Sequence, residues 1–273
     1  MPQLTFPQSP ALPFVELQSV DSTNNYAFAQ IHAGLAHHGS AFFAHEQVRG
    51  KGQRGKLWKA ERDANIILSI VINPKPLLLS QQFQLSACVA VSAWQLFKQY
   101  AGDDTAIKWP NDIYWQDRKA GGILVEGIVG KKEALWQVTE LGQSSPGTQD
   151  TADWKWAIAG MGININQVGF PEELKNPVSL KQITGKDHDP FKLSRELYLI
   201  LNKNLTDLIV NGFDNIYDLY VSCLYKKDKT VRFKKGSRVF NATVKKVTKS
   251  GSLLVQHSIE EEFNFGELEW LHT

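Results

Sequence analysis

The chain has 273 residues, of which 42% are hydrophobic and 21% are charged, and its net charge is +2. This ordinary globular balance excludes nucleic-acid binding driven by global charge, since such a role would need a local basic patch. The two cysteines, Cys88 and Cys223, stand outside any CxxC or Cys/His cluster, so no zinc site is indicated and buried, reduced thiols are expected.

The first residues carry no targeting signal. Residues 1–13 are rich in proline and lack the basic region and apolar core of a signal peptide. The longest strongly apolar stretch, 66–72, has the length of a buried strand and is too short to span a bilayer. We therefore expect a cytoplasmic protein that does not enter a membrane.

Short strands and helices are predicted in the first hundred residues. Strands are indicated over 14–20, 40–45 and 65–72, and Ser22 is a cap candidate for a short helix after the first. Residues 49–59 hold three glycines and five basic residues without an acid, which predicts an irregular, mobile loop. Ser80 is expected to cap a long helix. Its packed side would be formed by Leu85, Cys88, Val89, Trp94, Leu96 and Tyr100.

The pattern changes from mixed to all-β near residue 225. Before it, strands are predicted over 105–109, 123–129, 134–140 and 154–165, a polar loop over 143–153, and helices over 191–210 and 213–224. After it, short strands at 230–233, 237–247, 252–257 and 262–265 have the spacing of a small barrel of about 50 residues. The sequence predicts an α+β fold, with a catalytic-size domain at 1–225 and a small β domain at 226–273.

Charge is distributed unevenly along the predicted β domain. Residues 226–249 contain ten basic residues and one acid, whereas residues 250–273 contain five acids and no lysine or arginine. We expect the two halves to neutralise each other across neighbouring strands. A basic face for an acidic partner is the alternative.

The segment 108–112, Lys-Trp-Pro-Asn-Asp, predicts an anion site together with the lysine that follows it. A strand ends in this polar turn, and a second strand is expected to begin at Ile123, just after Lys119 and a run of small residues. A lysine there is a compact charge suited to a carboxylate or phosphate. Alternatively, Lys119 is a surface residue, and Asn111 and Asp112 only close the turn.

Three other segments carry weaker signals. The glycine-rich basic run at 47–58 can wrap a polyanion but lacks the spacing of a P-loop. The run 22–24, Ser-Thr-Asn, is either a helix cap or a set of ligands for a compact polar group such as a urea. The run 160–164 is either a strand end or a place where Asn164 contacts a base. Without a GxSxG elbow or a reactive-cysteine motif, transfer between bound substrates by electrostatic stabilisation is favoured.

Taken in order, these segments closely resemble the biotin–protein ligase family. The matching pieces are Ser22-Thr23-Asn24, the loop 47–58 against a GRGRRG-x-x-W pattern, the KWPND run, the run from Lys119 to Glu126, and Gly160 to Asn164 against G-x-GIN. The resemblance implies a class II synthetase-like catalytic domain, a mixed sheet packed with helices, followed by an SH3-like C-terminal β-barrel. It also implies the single-function type, without an N-terminal DNA-binding domain.

The resemblance further implies an ATP-dependent reaction. The biotin carboxylate would attack the α-phosphate of Mg-ATP to give biotinyl-5′-AMP. A lysine of a biotin carboxyl carrier domain would then take the biotinyl group, and the expected carrier is that of acetyl-CoA carboxylase. No tightly bound prosthetic group or protein-held metal is expected, DNA is not an expected partner, and monomer and homodimer both stay open. Lys119 would be the catalytic cation between carboxylate and phosphate.

The other site roles also follow from the resemblance alone. The biotin side would be formed by Ser22, Thr23, Asn24, Gln47, Lys51, Gly52, Gln53 and Lys119. The nucleotide side would be formed by Arg54, Trp58, Asn111, Asp112 and Asn164. Within the loop, Lys51 and Gln53 stand where the family pattern has arginines, and we hypothesise weaker retention of the adenylate. A lipoate–protein ligase or octanoyltransferase and a non-catalytic biotin-binding protein are the rival functions.

Overall fold

The structure, a computed structural model, describes residues 14–130, 136–140 and 153–271. The predicted loop at 143–153 lies outside these ranges apart from Asp153, and so do residues 1–13. Within the described ranges, none of the helices combines the length and the apolar character that crossing a bilayer requires.

In chain order the elements are β1 (Phe14–Leu17), α1 (Thr23–His32), β2 (Ala41–Ala44), β3 (Gly50–Lys51), β4 (Leu57–Trp58), β5 (Asn65–Ile72), α2 (Gln82–Ala101), β6 (Thr105–Lys108), β7 (Asp112–Trp115), β8 (Arg118–Gly130), β9 (Trp136–Glu140), β10 (Asp153–Asn164), α3 (Leu180–Thr184), α4 (Pro190–Asn211), α5 (Asp214–Ser222), β11 (Thr230–Lys235), β12 (Arg238–Val247), β13 (Leu253–Gln256), β14 (Glu260–Phe263) and β15 (Glu269–Leu271).

A mixed sheet forms the centre of the larger unit. Its strand order is β1-β2-β5-β10-β8-β7-β6, and β9 pairs with β8. β1 and β2 run parallel, whereas the strands from β2 onward pair antiparallel. Helices α2, α4 and α5 cover one face and α1 covers part of the other. Every residue of β5 is buried, because this central strand is covered on both faces.

The C-terminal strands form a second, antiparallel sheet. Its order is β14-β13-β12-β11-β15, so the last strand returns to pair with the first. Ion pairs join Lys235 and Arg238 to Glu261, with N–O distances of 4.0 and 3.7 Å. The two charged halves of this sheet therefore do neutralise each other in part. The expected α+β architecture with a C-terminal β-sheet is confirmed, whereas the boundary at residue 225 stays a prediction.

Several local predictions were wrong. The run at 49–59 is not irregular throughout, because β3 and β4 form a short hairpin in which Gly50 pairs with Trp58. The strand expected to begin at Ile123 begins at Arg118, and β7 precedes it, so Lys119 lies within a strand. Ser80 lies in a 3₁₀ turn, and Gln81 occupies the N-cap of α2. Neither α3 nor β15 was predicted from the sequence.

Candidate functional site

A cavity of about 550 Å³ opens on the α1 side of the main sheet and extends to the C-terminal sheet. Every residue that the sequence analysis named as a site residue lines it: Ser22, Thr23, Asn24, Gln47, Lys51, Gly52, Gln53, Arg54, Trp58, Asn111, Asp112, Lys119 and Asn164. Segments distant in sequence therefore meet in one place. The geometry brings these side chains together but does not by itself assign their roles.

A dense hydrogen-bond network forms one end of the cavity. The backbone N–H of Thr23 donates to Gln47 Oε1 at 2.7 Å, and the hydroxyl of Thr23 lies 3.1 Å from the same oxygen. Ser69 Oγ lies 2.7 Å from Thr23 Oγ1 and 2.6 Å from Asn24 Oδ1. Gly160 makes room for this network, since a Cβ there would collide with the Asn24 side chain. This end suits a small ligand with several polar atoms.

A buried carboxylate lies behind this end. Asn24 Nδ2 donates to Glu126 Oε2 at 2.7 Å, and Lys51 Nζ lies 3.2 Å from Glu126 Oε1. The Glu126 side chain is only 8% exposed, so its charge is compensated by these two partners. The contact of Lys51 with Glu126 therefore connects the glycine-rich loop to β8 of the main sheet.

The cation predicted for an anion lies in the middle of the cavity. Lys119 Nζ is 2.7 Å from Asp112 Oδ1, and the two side chains are about one-third exposed. Asp112 begins β7 and pairs in register with Gly122 of β8. The absence of a side chain at Gly122 leaves the space beside this ion pair open, because a Cβ there would lie 3.5 Å from the Lys119 ammonium nitrogen.

Trp58 covers a glycine floor on the far side of Lys119. Its indole lies directly on Gly162, where a Cβ would come within 2.5 Å of Trp58 Cε2. The Trp58 indole N–H is buried and has no hydrogen-bond partner among the described residues. A flat apolar surface with an unused donor suits the ring of a base.

Two asparagines play different parts. Asn111 donates its amide to the carbonyl of Ile123, and its Oδ1 is buried with no partner in the described part of the chain. That oxygen is available to a donor entering the cavity. Asn164 instead donates to the carbonyl of Val178 at 3.1 Å and approaches that of Lys119 at 3.5 Å. The Asn164 amide therefore connects the end of β10 to the segment that runs beside β8. This structural role was not predicted from the sequence.

The C-terminal sheet also contributes to the cavity, which sequence reasoning missed. The Arg54 guanidinium lies 4.7 Å above the Phe265 ring, so the glycine-rich loop contacts this sheet. Lys108 is 8% exposed, and its ammonium faces the rings of Tyr114, Tyr225 and Trp270 at 4.7, 5.7 and 5.3 Å. Burial lowers the pKa of Lys108 to about 8.

Two buried polar residues, Ser69 and Glu126, also escaped the site prediction. A signal existed for both, because each is the polar member of an otherwise apolar strand segment, and a buried polar side chain needs a partner. Both cysteines are buried and free, as expected, and burial raises the pKa of Cys223 to about 12. No group of three His, Cys, Asp or Glu residues that could hold a metal ion occurs in the described ranges.

Residues 16–138 match the model of the Biotin/lipoate A/B protein ligase family. This part of the chain belongs to that family, in agreement with the sheet, the cavity and the motifs described above. Within the family, the chain is a relative of the biotin–protein ligases.

Three comparisons illustrate this relationship. The bifunctional ligase/repressor BirA of Bacillus spizizenii is 30% identical over 209 residues, 75% of this chain and 58% of the relative. The biotin–[acetyl-CoA-carboxylase] ligase of Paracoccus denitrificans is 26% identical over 88% of this chain and 92% of the relative. The biotin protein ligase from Aquifex aeolicus, solved with biotin and ATP, is 23% identical with a TM-score of 0.74, and the match covers 96% and 99% of the two chains. The chain spans only about half the length of the bifunctional relatives it matches.

Proposed function

We propose that this protein is a biotin–protein ligase. It would join biotin to ATP as biotinyl-5′-AMP and then transfer the biotinyl group to a lysine of a biotin carboxyl carrier domain. The observation that carries the proposal is the Lys119 ammonium, held 2.7 Å from Asp112 between the polar network of Thr23 and the glycine floor under Trp58. The names of the relatives, and the biotin and ATP bound to the Aquifex aeolicus protein, support the same reaction.

The arrangement suits both half-reactions. In the first, a carboxylate oxygen of biotin bonds to the α-phosphorus while the bond to pyrophosphate breaks, and Lys119 stabilises the charge on carboxylate and phosphate as they meet. In the second, the acceptor amine bonds to the carbonyl carbon, the bond to AMP breaks, and the ammonium so formed loses a proton. Neither step needs an enzyme nucleophile, which agrees with the burial of both thiols.

The ligand roles follow the two ends of the cavity. Ser22, Thr23, Asn24 and Gln47 would hold the biotin head group. The loop residues Lys51, Gly52, Gln53 and Arg54 would close over biotin and phosphate. On the nucleotide side, Trp58 and Asn111 would contact the base, Asp112 would orient Lys119, and Asn164 would act through the backbone it holds. Mg²⁺ would arrive as part of the Mg-ATP substrate.

The partner would be the carrier domain of an acyl-CoA carboxylase, with acetyl-CoA carboxylase the expected one. The Paracoccus denitrificans relative, named for that acceptor, supports this choice. The ion pairs of Glu261 argue against a free basic face for DNA. We also propose residues 1–225 as the catalytic domain and residues 226–273 as a C-terminal domain, and we leave open whether the protein is a monomer or a homodimer.

The deciding experiment is incubation with biotin, Mg-ATP and a carrier domain, followed by intact-mass measurement of the carrier. We expect one biotinyl group per carrier domain and pyrophosphate release that depends on biotin. A parallel reaction with lipoate in place of biotin tests for the rival lipoate–protein ligase activity. Binding of biotin without pyrophosphate release would leave a non-catalytic biotin-binding protein and overturn the proposal.

A further inference from the structure

We infer that Glu126 and Ser69 are positioning residues that set the direction of the hydrogen bonds at the Thr23 end of the cavity, so that the Thr23 hydroxyl oxygen faces the ligand as an acceptor for an N–H group. The inference rests on the proposed function for the identity of that ligand. Neither residue lines the cavity, and each reaches it only through a neighbour.

Glu126 fixes the orientation of the Asn24 amide. Its Nδ2 lies 2.7 Å from a Glu126 carboxylate oxygen. An ionised carboxylate only accepts hydrogen bonds, so the NH₂ group must face Glu126 and the carbonyl oxygen must face the other way. Lys51 Nζ, 3.2 Å from the other carboxylate oxygen, forms an ion pair with it.

The Ser69 hydroxyl has one proton and two close neighbours, and it is the donor toward both. Asn24 Oδ1, which can only accept, is 2.6 Å away, and Thr23 Oγ1 is 2.7 Å away. Because the carbonyl oxygen of Asn24 faces Ser69, the Ser69 proton lies on the side of these two oxygens. Thr23 therefore accepts from Ser69 and must direct its own proton elsewhere.

The Thr23 hydroxyl donates to Gln47 Oε1 at 3.1 Å, and the same oxygen accepts the Thr23 backbone N–H at 2.7 Å. A carbonyl oxygen has two lone pairs, so it can accept both hydrogen bonds. With its proton directed to Gln47 and one lone pair directed to Ser69, the Thr23 oxygen offers its other lone pair to the cavity. A ligand group placed there must be a donor, and the N–H of a cyclic urea such as that of biotin has this chemistry.

The backbone holds this network in place. Ser69 of β5 pairs in register with Gly160 of β10, and Glu126 of β8 pairs with Ile158 of the same strand. The three strands therefore present Ser69, Gly160 and Glu126 toward α1, where Thr23 and Asn24 begin the helix. The rigid strands fix the donor and acceptor positions before a ligand arrives.

The test uses the full chain and compares biotin with an analogue methylated on one ureido nitrogen, by calorimetric titration. The wild-type protein should bind biotin. It should bind the methyl analogue that lacks the required N–H roughly tenfold to hundredfold more weakly than biotin. Glu126→Gln and Ser69→Ala should bind biotin more weakly and discriminate less, because Asn24 and Thr23 can then reorient. Glu126→Asp should restore part of the discrimination.

The controls separate this inference from stability and from the proposed function. Ser92→Ala removes another buried serine hydroxyl, in α2, and Glu46→Gln removes a carboxylate that pairs with Arg62; both should bind like wild type. Unchanged discrimination in folded Glu126→Gln and Ser69→Ala would overturn the inference while leaving biotin ligation intact. Failure of wild type to bind biotin would instead overturn the proposed function.

Discussion

Lys119 and Asp112 form an ion pair of 2.7 Å across neighbouring strands, and Gly122, the strand partner of Asp112, lies beside this pair. This ion pair holds the Lys119 ammonium in the cavity and leaves the space beside the ammonium empty for a ligand. Asp112 fixes where the ammonium lies, and Gly122 prevents a side chain from occupying the approach. An incoming carboxylate and phosphate would share that cation, which is how a single lysine can serve two anions.

Removal of this cation should abolish adenylate formation. We expect Lys119→Ala to reduce biotin-dependent pyrophosphate release by about 10³-fold or more, because the charge of the transition state loses its principal partner. Lys181→Ala, which removes a half-buried lysine paired with Asp187 outside the cavity, is the matched control and should retain wild-type turnover. Near-normal turnover of Lys119→Ala would refute the assigned role.

A second prediction concerns the residue at position 53 of the glycine-rich loop. Gln53 lines the cavity where the family pattern has an arginine, so the loop offers one charge fewer to the adenylate. We expect Gln53→Arg to release biotinyl-AMP more slowly than wild type, by roughly tenfold if one charged hydrogen bond is restored. Release would be followed by trapping the free adenylate after rapid dilution.

The control for this loop variant is Gln256→Arg, which adds the same charge to an exposed position of β13. It should leave the release rate at the wild-type value. Equal release from wild type and Gln53→Arg would show that the lost charge does not determine retention.

The sequence predicted those elements whose signals are local. β5 is apolar apart from Asn65 and Ser69, and α4 begins with Pro190 behind the N-cap Asp189, so both were found within a residue or two. β7 was missed because its first residue, Asp112, follows Pro110 and Asn111 and has the composition of a turn. Only its pairing with β8 makes it a strand, and that pairing is a tertiary property.

The same difference between local signals and tertiary contacts explains which site residues were predicted from the sequence and which were not. Cations, amides and glycines in short motifs indicate a ligand, and those residues do meet in one cavity. Ser69 belongs to no motif, and Glu126 ends the motif that starts at Lys119 without an indication of its role. Their importance depends on Asn24, which reaches them from α1 only after the sheet has assembled. The contact of Arg54 with Phe265 depends in the same way on how the C-terminal sheet docks.

The two glycines of β10 should divide the cavity functionally. An alanine at Gly160 would collide with the Asn24 side chain, and one at Gly162 would come within 2.5 Å of the Trp58 indole. We therefore expect Gly160→Ala to raise the KM for biotin and Gly162→Ala to raise the KM for ATP, each by roughly tenfold or more. Steady-state pyrophosphate release with one substrate varied at a time measures both.

These variants serve as controls for each other, because both add one methyl group to the same strand. Circular dichroism and thermal unfolding would establish that each variant folds. Equal effects of both variants on the two KM values would contradict the division of the cavity into a biotin end and a nucleotide end.

Lys108 should give the fold a pH dependence of defined sign. Burial lowers the pKa of its ammonium from 10.5 to about 8, with Asp112 opposing the shift and Lys119 adding to it. Since the folded-state pKa lies below the unfolded one, the unfolded chain binds more protons between these values. The contribution of Lys108 to stability therefore rises with pH from about 8 to about 10.5, and its cost is fully present below pH 8.

Lys108→Met removes that titration while keeping a side chain of similar length. The unfolding free energy of the variant relative to wild type should be highest below pH 8 and should fall by up to about 3 kcal/mol as the pH approaches 10.5. Urea unfolding of both proteins at pH 7 and pH 10 measures the change, and taking the difference cancels the other titrating groups. Lys181→Met, which removes a half-buried lysine whose ammonium pairs with Asp187, should show no such change. A pH-independent difference for Lys108→Met would mean that the aromatic rings of Tyr114, Tyr225 and Trp270 stabilise the ammonium enough to offset its burial.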